Sequence, residues 1–288
     1  MKWPTWSQAA IAAGMAGLVA LLLRRTRPTR LGDIAGPAAL EFAVVASLYS
    51  LWRMAKNLPL TQADGAIDRA YDIVAIQQFL RLPSELSLQR LLLDHEWLAN
   101  FASYYYAVAH VPGILMFLVW LYARHRGVYP HWRNALAILT GFCLFIRFVK
   151  VAPPRFLTDL GYVDVSALHG VDVYGEAGTG VSSQFAAMPS LHAGWAAVVA
   201  FGALAASASR WRWIGMVHLV VTMLVIAATG HHWWLDGIVA LVLLWVALRV
   251  DTLGRRVVLA IRSAPAEGDV ALDAPPGEQL AGEPVPPR

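Results

Sequence analysis

The chain has 288 residues, of which 58% are apolar and 15% are charged. Soluble domains carry about 25% charged residues, so this composition excludes an ordinary soluble protein and indicates an integral membrane protein. The net charge of +4 does not indicate a nucleic-acid partner, because the basic residues lie at the ends of apolar runs. The single cysteine, Cys143, excludes a disulfide framework and a cysteine-based metal site.

Two apolar runs open the chain. The first, Ala9 to Leu23, is followed by a loop with four arginines. A secretory signal carries its charge before its apolar run, so this order predicts a retained span whose N-terminus faces outward. The second run, Ile34 to Trp52, contains Glu41, which we expect to face protein rather than lipid. We assign residues 1–30 to the first span and its basic loop, and 31–100 to the second span and the segment after it.

The segment from Leu58 to Asn100 has no spanning character. Its leucines follow helical spacing, but Asp94, His95 and Glu96 interrupt the apolar pattern. We therefore predict one or two amphipathic helices at the outer membrane surface. They serve either as a packing cap or as a frame around the entrance for a lipid headgroup.

Five further apolar runs follow within residues 101–250, which we assign as the catalytic membrane domain. They are Tyr104–Tyr122, Trp132–Val149, Ala193–Ala208, Ile214–Ala228 and Trp234–Val250. Each is about one bilayer crossing long, so the sequence predicts an all-α polytopic bundle of about seven spans, with the first outside a six-helix core. A glycine-rich outer loop occupies residues 156–187. The Pro- and Gly-rich residues 251–288 predict a disordered cytoplasmic tail.

Charge predicts the orientation of these spans. With seven spans, the arginine clusters at the ends of the runs fall on one side of the membrane, which should be cytoplasmic. The opposite side then collects residues from three separate turns of the chain. These are Lys150, Arg155, Ser190, His192, His231, His232 and Asp236.

Two of the histidines are candidates for catalysis. His232 and Asp236 are spaced i,i+4, which places both side chains on one side of a helix and lets the carboxylate orient the imidazole. His192 should lie on the same membrane face. Two imidazoles, one of them backed by a carboxylate, make a plausible nucleophile and acid pair.

Three short blocks carry a family resemblance. APPR at 152–155, PSLH at 189–192 and HHWWLD at 231–236 resemble the signatures of the type 2 phosphatidic acid phosphatase (PAP2) superfamily, over about residues 100–250. Within it they are most similar to the inositol phosphotransferase branch related to inositol phosphorylceramide synthase.

This resemblance implies a role for each block. His232 would attack phosphorus to form a phosphohistidine, Asp236 would hold its ring, and His192 would protonate the leaving oxygen. Arg155 and the backbone near Ser190 would hold the phosphate oxygens. Lys150 and His231 are further candidates for phosphate binding. No metal or other cofactor is expected.

The chain departs from the usual blocks at three positions. Ile226 stands where the third block normally has an arginine, Leu191 replaces a glycine, and Phe148 stands where a lysine is usual. Lys150 or Arg147 could substitute for that lysine. Fewer cations suit a singly charged phosphodiester better than a dianionic monoester. This favours headgroup transfer.

The sequence therefore predicts an enzyme of the plasma (cell) membrane that acts at its extracytoplasmic face. It would move a phosphate-containing headgroup from a lipid donor to an alcohol acceptor. Hydrolysis of a lipid phosphomonoester is the first alternative. A more distant one is a b-type haem protein with histidine ligands. Those ligands would come from His110, His192, His218, His231 and His232. A transporter is weaker still, since the paired broken helices expected at mid-membrane are missing from the spans.

Overall fold

The computed structural model describes residues 4–25, 30–56, 64–170 and 184–263, and this part of the chain is helical and contains no strand. The all-α prediction is confirmed. In chain order the helices are α1 (Trp6–Arg25), α2 (Arg30–Lys56), α3 (Ala66–Phe79), α4 (Glu85–Leu93), α5 (Glu96–Val108), α6 (His110–Arg124), α7 (Tyr129–Ile146), α8 (Val165–Leu168), α9 (Leu191–Ala206), α10 (Trp213–Ala228) and α11 (Trp234–Ser263). Three 3₁₀ turns lie between them, at Pro154–Phe156, Thr158–Leu160 and Arg210–Arg212.

Helices α1 and α2 form an antiparallel hairpin. The hydroxyl of Tyr49, late in α2, donates to the carbonyl of Pro4 at 3.1 Å, and Ser50 Oγ donates to the carbonyl of Trp6 at 2.7 Å. Much of the apolar surface of the hairpin is exposed, as expected of helices that face lipid. Glu41 pairs with Arg133 of α7, which confirms that this carboxylate faces protein.

Within the described residues, four helices are long and apolar enough to cross a membrane: α1, α2, α10 and α11. A fifth is reached if the bent pair α5 and α6 counts as one span. The expected number of about seven is reached only by also counting α7 and the 16-residue α9, which occupy the fourth and fifth predicted positions.

The predicted third span is not one straight helix. It breaks at Ala109, and the axes of α5 and α6 differ by 53°. Pro112 accounts for the break, because proline has no N–H to donate and its ring clashes with the carbonyl of the residue four positions earlier, Val108.

Helix α9 lies at the centre of the bundle and packs against α6, α7 and α10. Its buried face consists of alanine, glycine and valine, and small residues of this kind let membrane helices approach closely. A Cβ on Gly194 would meet Leu139 of α7 at 3.1 Å and Ala240 of α11 at 3.7 Å. A Cβ on Gly215 of α10 would lie 3.0 Å from the Cα of Ala200.

The prediction of a disordered tail is wrong for residues 251–263, which continue α11. This segment contains no proline, so nothing stops the helix before Ser263. The rest of the tail, residues 264–288, lies outside the described residues. Asp251 ties α11 to α7 by accepting from His131 Nδ1 at 2.5 Å and Asn134 Nδ2 at 2.7 Å.

We predict that Gly215→Val separates α9 from α10 and destabilises the protein by about 1–3 kcal/mol. The added side chain would meet backbone atoms of α9, which cannot move aside as a flexible side chain can. Thermal unfolding in detergent should show a lower apparent midpoint. Gly141→Val in α7 is the matched control, because nothing lies within 4 Å of its added Cβ. Equal midpoints for the two variants would contradict the close-packing explanation.

Candidate active site

Backbone hydrogen bonds hold the three blocks together. The N–H of Ser190 donates to the carbonyl of Asp236 at 3.1 Å, and the N–H of Arg155 donates to the carbonyl of Gly230 at 3.0 Å. The indole of Trp233, which is fully buried, donates to a carbonyl of the first block at 2.9 Å. The three turns that the sequence placed on one membrane face therefore meet at one site.

The imidazole of His232 is fixed through its Nδ1 atom. Nδ1 lies 2.7 Å from the carbonyl oxygen of Ala187 and 3.3 Å from Asp236 Oδ2. A carbonyl oxygen only accepts hydrogen bonds, so Nδ1 carries the proton and Nε2 keeps its lone pair. The shorter bond is to the Ala187 carbonyl, which the sequence did not predict.

Asp236 supports this arrangement from a position with no solvent exposure. Its Oδ2 atom also accepts from the N–H of Trp233 at 2.8 Å, at the start of α11. The carboxylate therefore holds both the His232 ring and the backbone turn that presents it.

His192 lies in the first turn of α9, with its ring centroid 5.7 Å from that of His232. The two rings are nearly perpendicular, at 61°. The ring of Tyr106 contacts two imidazoles of the site, with its centroid 4.4 Å from that of His192 and 4.2 Å from that of His231. The spacing lets both rings reach one phosphoryl group, since reacting atoms in a near-attack geometry are about 3–3.5 Å apart.

His231 stacks on Tyr106 and is only 1% exposed. Burial, together with Arg155 and His232, holds the pKa of His231 well below its ordinary value of 6.5. The ring is therefore uncharged near neutral pH, so His231 could offer phosphate a hydrogen bond but not a positive charge.

Arg155 is buried and already paired. Its Nε lies 3.2 Å from Asp164 Oδ2, and Nη2 donates to the carbonyl of Gln184 at 3.4 Å. Lys150 is buried as well, and burial together with Arg147 lowers its pKa.

Ser190 is fully buried at the N-cap of α9, where its Oγ accepts from the N–H of Ala193 at 3.3 Å. Its side chain therefore fixes the start of the helix that carries His192. The N–H groups of the first turn form the positive end of the helix dipole, which is a favourable position for an anion.

His192 and His232 line one cavity of about 350 Å³. The described residues around it do not include Arg155 or Lys150. Instead, two other arginines line it, Arg53 of α2 and Arg147 at the end of α7. The sequence had suggested Arg147, like Lys150, as a substitute for the lysine that the first block lacks.

The sequence did not predict Arg53 or Tyr106 as parts of the site. One signal for Arg53 was available, because it is a basic residue at the predicted outer end of a span, where the positive-inside bias does not place arginines. No comparable signal marks Tyr106, which lies in a run of three tyrosines at the interface.

The amphipathic helices α3 and α4 cap the start of α11. Glu85 Oε1 accepts from the N–H of Trp234 at 3.1 Å and from Gln77 Nε2 at 2.7 Å, and Gln77 Oε1 accepts from the N–H of Leu235 at 2.9 Å. The first N–H groups of a helix have no partner within it. These two buried side chains satisfy them one turn from His232.

The histidines do not form a haem site of the kind considered above. The ring centroids of His110 and His192 are 4.6 Å apart at 75°, too close for a porphyrin between them. From the sequence we expected His218 near the cytoplasmic end of its helix and His110 near the outer end. Their ring centroids are 5.7 Å apart, so that expectation is wrong.

The paired histidines lie in a bundle of apolar helices, and comparison with protein families identifies the class of enzyme. The family profile of the PAP2 superfamily matches residues 71–250. The chain therefore belongs to the PAP2 superfamily, whose chemistry is that of lipid phosphate phosphatases and phosphotransferases. No curated protein and no solved structure matches the chain.

The buried carboxyl group of Glu85 should make the stability of the protein depend on pH. Burial raises the pKa of Glu85 above its ordinary value of 4.5. The folded protein then binds more protons than the unfolded chain, so this group's contribution to stability is full below pH 4.5 and declines as pH rises through the raised pKa. Glu85→Gln keeps the acceptor oxygen without ionising. The apparent unfolding midpoint of Glu85→Gln relative to wild type should therefore increase as the pH of the scan is raised.

Glu85→Ala is the control for this experiment. It leaves the N–H of Trp234 and the amide of Gln77 without their acceptor, so it should destabilise the protein at every pH by about 1–3 kcal/mol. If the apparent unfolding midpoints of wild type and Glu85→Gln change in parallel with pH, the raised pKa of Glu85 does not contribute to the pH dependence of stability.

Proposed function

We propose that this protein transfers a phosphate-containing headgroup from a membrane lipid to an alcohol through a phosphohistidine on His232. The observation that carries this proposal is the His232 ring, whose Nδ1–H is held by Ala187 and Asp236 while Nε2 stays basic in a cavity shared with His192. PAP2 membership supports lipid phosphate chemistry in general.

The first half of the reaction forms the intermediate. Nε2 of His232 attacks phosphorus, and the bond from phosphorus to the leaving oxygen breaks. Protonated His192 gives its proton to that oxygen, which leaves as an alcohol. The positive charge that develops on the His232 ring is stabilised through Nδ1–H by the Ala187 carbonyl and the Asp236 carboxylate.

The second half returns the enzyme to its starting state. His192, now neutral, accepts the proton of an incoming hydroxyl while the oxygen attacks phosphorus and the bond to Nε2 breaks. The acceptor is an alcohol in a transferase and water in a phosphatase. Aromatic side chains of Trp52 and Trp195 line the cavity, which supports an organic acceptor.

Hydrolysis of a lipid phosphomonoester is the second candidate function. Arg53 and Arg147 give the cavity cations that the sequence motifs lack, and fixed cations stabilise charge on the equatorial oxygens of a phosphoryl group. The preference for a phosphodiester, which rested on a shortage of cations, is correspondingly weaker. The inositol phosphotransferase branch stays a proposal that depends on the short motifs.

We further propose that the site opens at the extracytoplasmic face of the cell membrane. The arginines in the last turn of α1, Arg24 and Arg25, and the basic residues at the end of α6 and before α10 lie at the opposite ends of their helices from the histidine site. Positive charge collects on the cytoplasmic side of membrane proteins. A lipid substrate would then enter from the outer leaflet.

The loss of activity should depend on the leaving group in His192→Ala but not in His232→Ala. His232→Ala should lower kcat by at least about 10³-fold on every substrate, because it removes the nucleophile. His192→Ala should cost about 10²- to 10⁴-fold with an alkyl leaving group. It should cost far less with p-nitrophenol, which leaves without a proton. Rates on p-nitrophenyl phosphate and phosphatidic acid provide the measurement, and an equal loss on both would remove His192 from the role of acid.

The identity of the products separates the two candidate functions. Purified protein would be incubated in mixed micelles with isotopically labelled phosphatidylinositol or diacylglycerol phosphate and an alcohol such as diacylglycerol, and the products identified by mass spectrometry. We expect a new phosphate ester that disappears in His232→Ala. Inorganic phosphate with no new ester would establish the phosphatase instead.

A further inference from the structure

Helix α2 supplies a cation to the cavity that holds the two reacting histidines. Arg53 lies near the C-terminal end of α2 and lines this cavity together with His192 and His232. Helix α2 lies outside residues 71–250, the part of the chain that matches the PAP2 superfamily. The contribution of Arg53 is therefore a feature of this chain that the family signatures do not describe.

The charge of Arg53 has no protein counterpart in the described part of the chain. Its Nε atom is buried and has no hydrogen-bond partner there, and no carboxylate pairs with it. Two other arginines of this bundle pair with carboxylates, Arg133 with Glu41 and Arg155 with Asp164. Arg53 is partly buried, and a polar atom that is buried without a hydrogen bond, such as its Nε, is costly.

Two ordinary explanations do not account for this position. The positive-inside bias places arginines on the cytoplasmic side, whereas Arg53 lies at the end of α2 nearest His192 and His232. A helix dipole favours a cation near the C-terminus, but a side chain directed into solvent would serve equally well. An anionic ligand in the cavity explains both the direction of the side chain and the absent carboxylate.

The wall of the cavity contains a second arginine. Arg147 caps α7, is 8% exposed and lines the same cavity, and its Nη1 donates to the carbonyl of Ala55 in α2 at 3.4 Å. This contact ties the end of α2 to the catalytic bundle. Phe148 and Ile226, which stand where the family motifs carry cations, cannot hold an anion.

We propose that Arg53, assisted by Arg147, binds the phosphoryl oxygens of the substrate, so that the N-terminal hairpin forms part of the active site. This inference rests on the proposed function. A guanidinium presents parallel N–H donors that match two oxygens of one phosphoryl group. It also acts where Arg155 does not, since Arg155 does not line this cavity among the described residues.

The surroundings of Arg53 indicate the class of substrate. Tyr49, Trp52 and Trp195 form a connected aromatic wall, with ring centroids 5.6 Å and 5.4 Å apart in successive pairs. All three line the cavity beside Arg53. A cationic end next to an aromatic wall suits an amphiphilic phosphate, whose oxygens contact the arginines and whose carbon portion lies against the rings.

The activity test uses the full-length protein in mixed micelles that contain phosphatidic acid or phosphatidylinositol. We expect Arg53→Ala to lower kcat/KM by about 10- to 100-fold, and Arg53→Lys to lower it less. Guanidinium ion added to the assay should restore part of the rate of Arg53→Ala and none of the rate of His232→Ala. Rescue of this kind separates substrate binding by Arg53 from a structural role.

Arg90→Ala is the matched control, because Arg90 is exposed on α4 and contacts neither the cavity nor the cap of α11. Its activity should stay within about twofold of wild type. Wild-type activity in Arg53→Ala, with His232→Ala inactive, would overturn the inference. A loss in Arg53→Ala with a normal unfolding midpoint but no rescue by guanidinium or by Arg53→Lys would also count against it.

A binding experiment tests the anion site at Arg53 independently of the proposed reaction. Calorimetry would measure the affinity of orthovanadate, a phosphate-like anion, for His232→Ala and for His232→Ala with Arg53→Ala. We expect binding about tenfold or more weaker in the double variant. Equal affinities would overturn the inference even if the wild type is active. Arg53-dependent binding in a protein inactive on both lipids would sustain the anion site and contradict the proposed reaction.

Discussion

The hydrogen bond from His232 Nδ1 to the carbonyl of Ala187 is the interaction on which the site depends. It joins the turn before α11 to the segment that leads into α9, and it leaves Nε2 as the only basic nitrogen of the ring. Asp236 adds a longer contact to the same proton and also holds the backbone of Trp233. A side-chain carboxylate and a backbone carbonyl thus fix the ring, so the ring orientation follows from how α9 and α11 pack.

That packing is possible because the central helix has almost no side-chain bulk on its buried face. Apolar side chains gain little by leaving lipid for a membrane protein interior, so close contact and hydrogen bonds must hold the helices together. Gly194 and Gly215 provide the close contact. The buried polar pair Gln77 and Glu85 provides hydrogen bonds from the amphipathic helices to the start of α11. A fully satisfied buried network of this kind specifies one arrangement of its parts.

The arginines show how a chain can depart from family motifs and keep the electrostatics of its site. Phosphoryl transfer needs fixed positive charge near the equatorial oxygens, but electrostatics does not require that charge to come from one particular helix. Here Arg155 of the first block is paired with Asp164, whereas Arg53 and Arg147 line the cavity of the histidines. A hairpin outside the region matched by the family thereby becomes relevant to catalysis.

The sequence by itself determined the membrane class, the all-helical fold and the identity of the paired histidines. These depend on local properties, namely apolar runs, i,i+4 spacing and short motifs, and charge at the ends of the runs sufficed to bring three blocks to one face. The break at Ala109 also has a local cause, Pro112, although a hydropathy profile does not detect it.

Only the tertiary structure decided which atoms complete the site. The Ala187 carbonyl is 45 positions from His232, and Glu85 caps a helix that starts 149 positions later, so neither contact leaves a pattern in a short window of sequence. The sequence marks Arg53 only as an arginine at the predicted outer end of a span, and its place in the cavity follows from the packing of α2 against α7. Hydropathy and periodicity indicate which side of an element is apolar. Contacts between distant residues follow instead from how the elements pack, and that packing decided the environment of the histidines.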